Sequence, residues 1–143
     1  MKIAIGNDHA GVNLKREIVA LLKDMSIEVE DFGCYDTASV DYPDVARPVA
    51  EAVANGTFDR GILICGTGIG VSVTANKVRG VRAALCHDTF SAHSSLEHNN
   101  ANVLCMGARV IGVGAALEVV RTWVNARFSG EERHARRVAK IES

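Results

Sequence analysis

Apolar and polar positions along this chain follow two alternating periods. Short apolar runs, typical of buried strands, are separated by stretches in which apolar residues recur every three or four positions, as in an amphipathic helix. Leu14, Ile18 and Leu22, for example, fall on one helical face. The apolar runs predict five strands, at residues 2–6, 28–32, 61–65, 82–86 and 103–106. The remaining stretches predict six helices, at about 12–25, 44–54, 68–77, 89–98, 112–128 and 131–141.

Strands that alternate with helices predict a parallel sheet covered by helices on both faces. We therefore expect a single domain over residues 1–143 of the α/β class, a Rossmann-like three-layer αβα sandwich with a five-stranded parallel sheet. For the second helix, Asp44 is a suitable N-cap, and Pro48 is tolerated because it then falls in the first turn. Ligands of such sheets bind beyond the carboxyl ends of the strands. Polar residues that follow a strand are thus the first candidates for a site.

Composition and charge exclude several classes of function. The 143 residues carry 16 Lys and Arg against 17 Asp and Glu, so no basic surface predicts nucleic-acid binding. No apolar stretch reaches the roughly 20 residues of a membrane span. Met1 and Lys2 lead straight into the first strand without a signal-peptide pattern, so we expect a cytoplasmic protein. The four cysteines are widely spaced and form no CxxC pair, which argues against a zinc ribbon or a thioredoxin-like motif.

The segment Cys-Gly-Thr-Gly-Ile-Gly at residues 65–70 is the most distinctive in the chain. It follows the apolar run of the third strand and leads into a predicted helix. Backbone N–H groups at such a turn point at one spot and favour an anion there. We expect the same positive field to lower the pKa of the Cys65 thiol and to make it a better base or nucleophile.

Two pairs of polar residues allow both a structural and a functional interpretation. Asp8 and His9 follow the first strand, where they could bond to their own backbone or bind a hydroxyl or phosphate group. His98 and Asn99 close a predicted helix. They could form a helix C-cap, or His98 could transfer protons near neutral pH.

The arginines and the remaining histidines are less distinctive. Arg133 and Arg137 are four residues apart on the last predicted helix, so they share one face and could hold one phosphate or form an ordinary solvated surface. Arg109 follows the fifth strand and is better placed to reach a ligand. His87 and His93 have no distinguishing context, and we expect them to be structural or on the surface.

Several established signatures are absent. Residues 66, 68 and 70 are glycines, but Val71 stands where a dinucleotide-binding GxGxxG motif needs glycine. The chain has no GxxxxGK[ST] phosphate loop, no HExxH or paired metal-ligand spacing, and no GxSxG elbow. These absences argue against a nucleotide site, a metal centre and a serine hydrolase.

Taken together, the motifs resemble a known family. The segments that carry the resemblance are 5–11 (IGNDHAG), 41–44 (DYPD), 61–70 (GILICGTGIG), 75–77 (ANK), 97–99 (EHN) and 133–134 (RH). In this order and spacing, over nearly the whole chain, they are similar to ribose-5-phosphate isomerase type B, within the larger ribose/galactose isomerase family. The block at 65–68 with the downstream Ala-Asn-Lys is the most specific of them.

The resemblance implies an enzyme that interconverts ribose 5-phosphate and ribulose 5-phosphate through an enediolate, a step of the pentose phosphate pathway. It also implies a doubly wound α/β fold, a homodimer or homotetramer with active sites shared between subunits, and no metal or organic cofactor. Cys65 would move the proton between C2 and C1, and Thr67 and His98 would help to open the furanose ring. The implied substrate-binding residues are Asp8, His9, Tyr42, Gly66, Gly68, Gly70, Asn99, Arg109, Arg133 and Arg137.

One departure from the family pattern bears on the phosphate site. Many relatives carry Gly-Gly before the Arg-His motif, whereas this chain has Glu131 and Glu132. The two acids could repel the phosphate or could lie in the first turn of the last helix, where acids are favourable, and we prefer the second interpretation.

Three alternative functions remain open. The same chemistry could act on a hexose 6-phosphate such as allose or galactose 6-phosphate, which needs room for one more carbon. A catalytically silent sugar-phosphate-binding subunit would be expected to have lost Cys65 or His98. A thiol redox protein would need a resolving cysteine near Cys65.

Overall fold

Five parallel strands form one sheet in the computed structural model, which describes all of residues 1–143. The strands are β1 (Lys2–Asn7), β2 (Glu28–Asp31), β3 (Arg60–Cys65), β4 (Ala83–Leu85) and β5 (Val103–Gly107), arranged in the order β2-β1-β3-β5-β4. The helices are α1 (Val12–Asp24), α2 (Tyr42–Ala54), α3 (Ile69–Asn76), α4 (Thr89–Asn99), α5 (Val113–Asn125) and α6 (Glu132–Glu142). A short 3-10 turn covers His9–Gly11. The predicted α/β fold is thereby confirmed.

Helices cover both faces of the sheet and form two hydrophobic cores. One core joins the sheet to α1, α4 and α5 and contains the fully buried Trp123. The other joins the sheet to α2 and α3 and contains Cys65. Because the strands are buried on both sides, they read as continuous apolar runs rather than alternating ones. No helix has the length and apolar character needed to cross a membrane.

Two predicted helix boundaries were wrong. Helix α2 begins at Tyr42 with Asp41 as its N-cap residue, so Asp44 lies in the first turn and Pro48 lies inside the helix. Pro48 is exposed, which leaves the carbonyl one turn before it open to water. Helix α5 ends at Asn125 rather than near residue 128. Its last carbonyls accept hydrogen bonds from the guanidinium of Arg60, which satisfies them without a further turn.

The order in which the chain adds strands to the sheet changes direction between β1 and β3. It leaves β1 toward β2 on one side and later leaves β3 toward β5 and β4 on the other. Such a switch point opens a crevice at the carboxyl ends of the strands, which we call the carboxyl edge. Asp8 follows β1 and Cys65 ends β3, so both lie at this crevice.

Helix α4 connects the carboxyl edge to the opposite edge, where the strands begin and which we call the amino edge. It starts after β4 with Asp88 as its N-cap residue. Its other end lies at the start of β4, because Arg82 donates from Nε to the carbonyl of Asn100 at 3.0 Å. Helix α6 lies along α4, and its Glu142 pairs with Arg82 at 2.6 Å. The ends of α4 and α6 are therefore displaced from the carboxyl edge.

Candidate active site

Cys65 is the last residue of β3 and lies at the switch point. It is 4% exposed. Its Sγ accepts a hydrogen bond from the backbone N–H of Gly68 at 3.1 Å. A backbone donor aimed at sulfur is the contact that a nucleophilic or basic thiolate requires. The structure thus places the one cysteine singled out by its sequence context in a site suited to proton transfer.

The turn after Cys65 carries backbone N–H groups that are free to bind an anion. The N–H groups of Gly66, Thr67, Gly70 and Val71 donate to no acceptor within the protein. They lie in one short stretch at the N-terminus of α3, where the helix dipole adds positive potential. An oxygen that gains negative charge next to Cys65 would find these donors already in place.

Close approach to β5 fixes the path of this turn. Gly68 has a φ of +79°, and a Cβ at this residue would lie 2.7 Å from the backbone carbon of Met106. A Cβ at Gly107 would lie 2.5 Å from the backbone carbon of Thr67. Both contacts are shorter than a side chain tolerates, so glycine is required on each side and the turn rests directly on the end of β5.

Asp8 and His9 occupy the neighbouring side of the crevice. The Asp8 N–H, directly after β1, donates to the carbonyl of Ile64 in the neighbouring strand β3 at 3.0 Å. Because Ile64 precedes Cys65, Asp8 lies beside Cys65. One carboxylate oxygen of Asp8 accepts the N–H of Ala10 at 2.9 Å, and the second makes no hydrogen bond. His9 accepts the N–H of Val40 on Nδ1 at 3.3 Å. Its Nε2 is therefore the nitrogen available to donate to a ligand.

Tyr42 and Arg109 lie over the glycine turn. A Cβ at Gly70 would lie 2.6 Å from the ring of Tyr42, and a Cβ at Gly66 would lie 3.4 Å from the guanidinium of Arg109. The Arg109 N–H also donates to the carbonyl of Gly66 at 3.0 Å. The structure therefore brings Tyr42 and Arg109 to the same cleft as Cys65.

The other predicted site residues form a second group at the end of α4 and on α6. His98 stacks on the buried His134, with ring centroids 4.5 Å apart and an angle of 13° between the planes. Burial lowers the pKa of His134, and the neighbouring His98 and Arg133 lower it further. Both Arg133 and Arg137 lie within α6, one turn apart. This group therefore contains His98, Asn99 and the two arginines.

The two groups do not meet within one chain. Helix α4 begins at Thr89 at the carboxyl edge, so it carries His98 and Asn99 about 14 and 15 Å from that edge. Cys65, Thr67, Asp8 and the glycine turn lie at that carboxyl edge. A single copy therefore places the thiol in one cleft and the imidazole of His98 near the opposite edge of the sheet.

The two glutamates before Arg133 behave differently. Glu132 lies in the first turn of α6 and pairs with Arg136 at 2.6 Å, in agreement with the preferred interpretation. Glu131 precedes the helix and pairs with Arg133 at 3.1 Å. Arg137 has no carboxylate partner, so it is the more available of the two arginines for an anion.

Two parts of the surface are open, one at each end of the strands. A groove of about 690 Å³ borders Asn99 at the amino edge, between the end of α6 and the start of β4. Near the carboxyl edge, Ile69, Val73 and Phe90 on the outer sides of α3 and α4 are 55%, 55% and 81% exposed. These three side chains are the large apolar groups that α3 and α4 leave open to solvent in a single copy.

His87 has a structural partner that the sequence did not indicate. Its Nε2 accepts the backbone N–H of Gly107 at 2.8 Å, at the end of β5. The two residues are 20 positions apart, and only the pairing of β4 with β5 brings them together. No three His, Cys, Asp or Glu side chains converge as metal ligands would.

Comparison with known proteins assigns the chain to a family. The family model for ribose/galactose isomerases matches residues 3–141. The chain belongs to the ribose/galactose isomerase family. Among solved structures, ribose-5-phosphate isomerase B of Clostridium thermocellum superposes with a TM-score of 0.97 at 56% identity, over 99% of this chain and 95% of that one.

Curated relatives within the family differ in the substrate that their names give. Ribose-5-phosphate isomerase B of Escherichia coli is 49% identical over 98% of this chain and 93% of its own length. A D-erythrulose-4-phosphate isomerase of Pectobacterium atrosepticum is 47% identical over 91% of this chain and 86% of its own length. Family membership therefore fixes the fold of this chain, while relatives of nearly equal identity are named for substrates of five and four carbons.

Proposed function

We propose that this protein interconverts ribose 5-phosphate and ribulose 5-phosphate through an enediolate, with Cys65 as the base. The observation that carries the proposal is the Cys65 sulfur at the start of a turn with four unpaired backbone N–H groups. The solved relative named ribose-5-phosphate isomerase B, with a TM-score of 0.97, supports the same reaction.

In the proposed proton transfer, the Cys65 thiolate removes the proton from C2 of the open-chain aldose. The electron pair of that bond forms the enediolate, and its negative oxygen lies against the free N–H groups of the turn. A proton passes from the C2 hydroxyl to O1, the thiol returns its proton to C1, and the C2 oxygen becomes the carbonyl, which yields the ketose and regenerates the thiolate. A proton α to a carbonyl is only weakly acidic, so donors preplaced for the developing oxyanion supply much of the rate enhancement.

Ring opening and sugar binding use the remaining groups. Thr67 and His98 help to move the proton from the anomeric hydroxyl to the ring oxygen, since an imidazole has one nitrogen that accepts and one that donates. The free carboxylate oxygen of Asp8 accepts from sugar hydroxyls, and Asn99 donates or accepts at the far side. Tyr42 lines the pocket over Gly70.

Four cationic or donor groups bind the phosphate: His9, Arg109, Arg133 and Arg137. His9 donates from Nε2, because Nδ1 is occupied by Val40. Arg137 contributes more than Arg133, which is partly neutralised by Glu131.

Each active site is shared between two copies in a homodimer or homotetramer. This part of the proposal rests on the two groups of site residues at opposite edges of the sheet. Neither group alone contains a base, a ring-opening histidine and enough cations for a phosphate. The exposed apolar side chains on α3 and α4 supply a surface on which a second copy can pack.

We place the reaction in the cytoplasm, where the four free cysteines stay reduced. Every step uses side chains and backbone amides of this chain. Turnover should therefore persist in the presence of a metal chelator.

The test of the substrate is a set of initial rates with ribose 5-phosphate, D-erythrulose 4-phosphate, allose 6-phosphate and galactose 6-phosphate, each with chelator. We expect the highest kcat/KM for ribose 5-phosphate. A preference for another sugar phosphate would keep the chemistry and change the substrate. No turnover of any would favour a silent binding subunit.

The test of the base is Cys65→Ala, with Cys34→Ala, a thiol that contacts Asn7 rather than the glycine turn, as the matched control. Removal of the base should lower kcat by at least about 1,000-fold, while calorimetry still detects sugar-phosphate binding. Full activity of Cys65→Ala would refute the assignment.

A thiol redox function fits the surroundings of Cys65 less well. Such a function needs a second cysteine that can attack a disulfide formed at Cys65. Cys105, on the neighbouring strand β5, is 0% exposed and cannot do so without unpacking the core. Burial raises the pKa of the Cys105 thiol far above its usual range, so it remains protonated and a poor nucleophile.

A further inference from the structure

His87 follows β4, the shortest strand, by two residues. Its side chain makes the last hydrogen bond from this part of the chain to β5, which supports the glycine turn. The backbone bonds between β4 and β5 end where Cys86 N–H donates to the carbonyl of Cys105 at 3.1 Å. After His87 the chain turns away into α4, with Asp88 as the N-cap residue. The next donor of β5, the N–H of the buried Gly107, is accepted by the His87 imidazole at 2.8 Å. A side chain thus replaces the missing backbone carbonyl.

The end of β5 that His87 holds is the support for the turn. Gly107 pairs in register with Cys65, and it packs so closely on the backbone of Thr67 that a Cβ would not fit between them. The two residues after β5 extend this contact, since Ala108 donates to the carbonyl of Cys65 at 2.8 Å and Arg109 donates to that of Gly66 at 3.0 Å. A shift of Gly107 would therefore move the sulfur and the free N–H groups relative to each other.

We propose that His87 is a positioning residue for isomerisation: its Nε2 fixes Gly107 and thereby holds the turn at 65–68 in the geometry that receives the enediolate oxygen. The inference rests on the function proposed above. His87 acts through the backbone of β5. Because Nε2 must accept, the neutral ring carries its proton on Nδ1.

The test compares three variants that differ in where an acceptor sits. In His87→Gln the carbonyl oxygen can occupy the place of Nε2, in His87→Asn the oxygen falls short, and in His87→Leu no acceptor remains. We expect kcat for His87→Gln within about threefold of the wild type, and a loss of at least about tenfold for the other two. KM for ribose 5-phosphate should change less than kcat, since three of the four groups that bind the phosphate (His9, Arg133 and Arg137) lie away from β5.

The Gln and Asn variants are both polar and of similar bulk, so a merely structural role would affect them alike. Equal kcat in these two variants, whether high or low, would overturn the proposal. So would a loss confined to KM. The comparison of Gln with Asn decides the question even if the Leu variant fails to fold.

A second measurement is independent of turnover. In the ¹⁵N-histidine-labelled wild-type protein, long-range ¹H–¹⁵N correlation should identify His87 as the Nδ1–H tautomer with an acceptor Nε2. An Nε2–H tautomer would overturn the geometry. If the wild-type protein isomerises no sugar phosphate, the proposed function fails, and the tautomer still shows whether His87 holds Gly107.

Discussion

Two inactive variants should restore activity when mixed, if the two groups of site residues meet between copies. Cys65→Ala removes the thiol from one group, and His98→Asn removes the imidazole from the other. In a mixed dimer one site carries both defects and the other carries neither. Random exchange makes half of the dimers mixed, with one intact site of two, so about one quarter of wild-type activity should return. A site contained in one chain would return none, because every chain in the mixture carries one of the two defects.

The assay measures isomerisation of ribose 5-phosphate before and after subunit exchange of the purified variants at equal concentration. The control mixes wild-type protein with a Cys65→Ala/His98→Asn double variant. There both sites of the mixed dimer are defective, so the activity of the wild-type portion should fall by about half. If the mixture of single variants is no more active than the sum of its parts while exchange is shown by mass spectrometry, the shared site is refuted.

Three further perturbations test other parts of the structure. Val73→Asp puts a carboxylate on the exposed apolar surface of α3, so sedimentation should show monomers that fold but lack activity; dimers would exclude this surface. Lys15→Met removes a buried ammonium that donates to Asp31 at 3.0 Å and to the Cys34 carbonyl; denaturant titration should show a loss of about 2 kcal/mol in unfolding free energy, and an unchanged midpoint would contradict it. Burial lowers the pKa of His134, so as the pH falls the unfolded chain binds a proton at this residue before the folded protein does. The thermal unfolding midpoint should therefore decrease when the pH is lowered below about 6.5, and it should decrease less steeply in His134→Gln.

The sequence predicted those features that depend on local pattern. The buried parallel strands were predicted from their apolar runs. The turn at 65–68 could be recognised because glycines and a thiol directly follow the third of these runs. Features that depend on distant contacts were missed. Helix α5 ends where Arg60, more than 60 residues earlier, binds its carbonyls, and His87 gains its partner only through strand pairing.

The division of the site into two groups also required the sheet order. The length of α4, and its direction between two parallel strands, were close to the prediction, but its packing against α6 and the stacking of His98 on His134 were not apparent from the sequence. The contact of Arg82 with Asn100 and the start of β5 at Val103 both place the end of α4 at the amino edge. From that placement it follows that His98 and Asn99 are separated from Cys65 within one chain.

This division offers a physical reason why one fold can serve sugar phosphates of different length. In the proposed shared site, the base comes from one copy, whereas Arg133 and Arg137 come from the other. The distance from the reacting carbons to the phosphate is then set partly by how two copies pack, and a shift of one carbon needs only about 1.5 Å at that interface. Relatives with 49% and 47% identity to this chain carry names for five- and four-carbon substrates. Such a difference in substrate does not require a difference in the hydrophobic cores around the sheet. Substrate length should therefore respond more to substitutions on the outer sides of α3, α4 and α6 than to changes around Cys65.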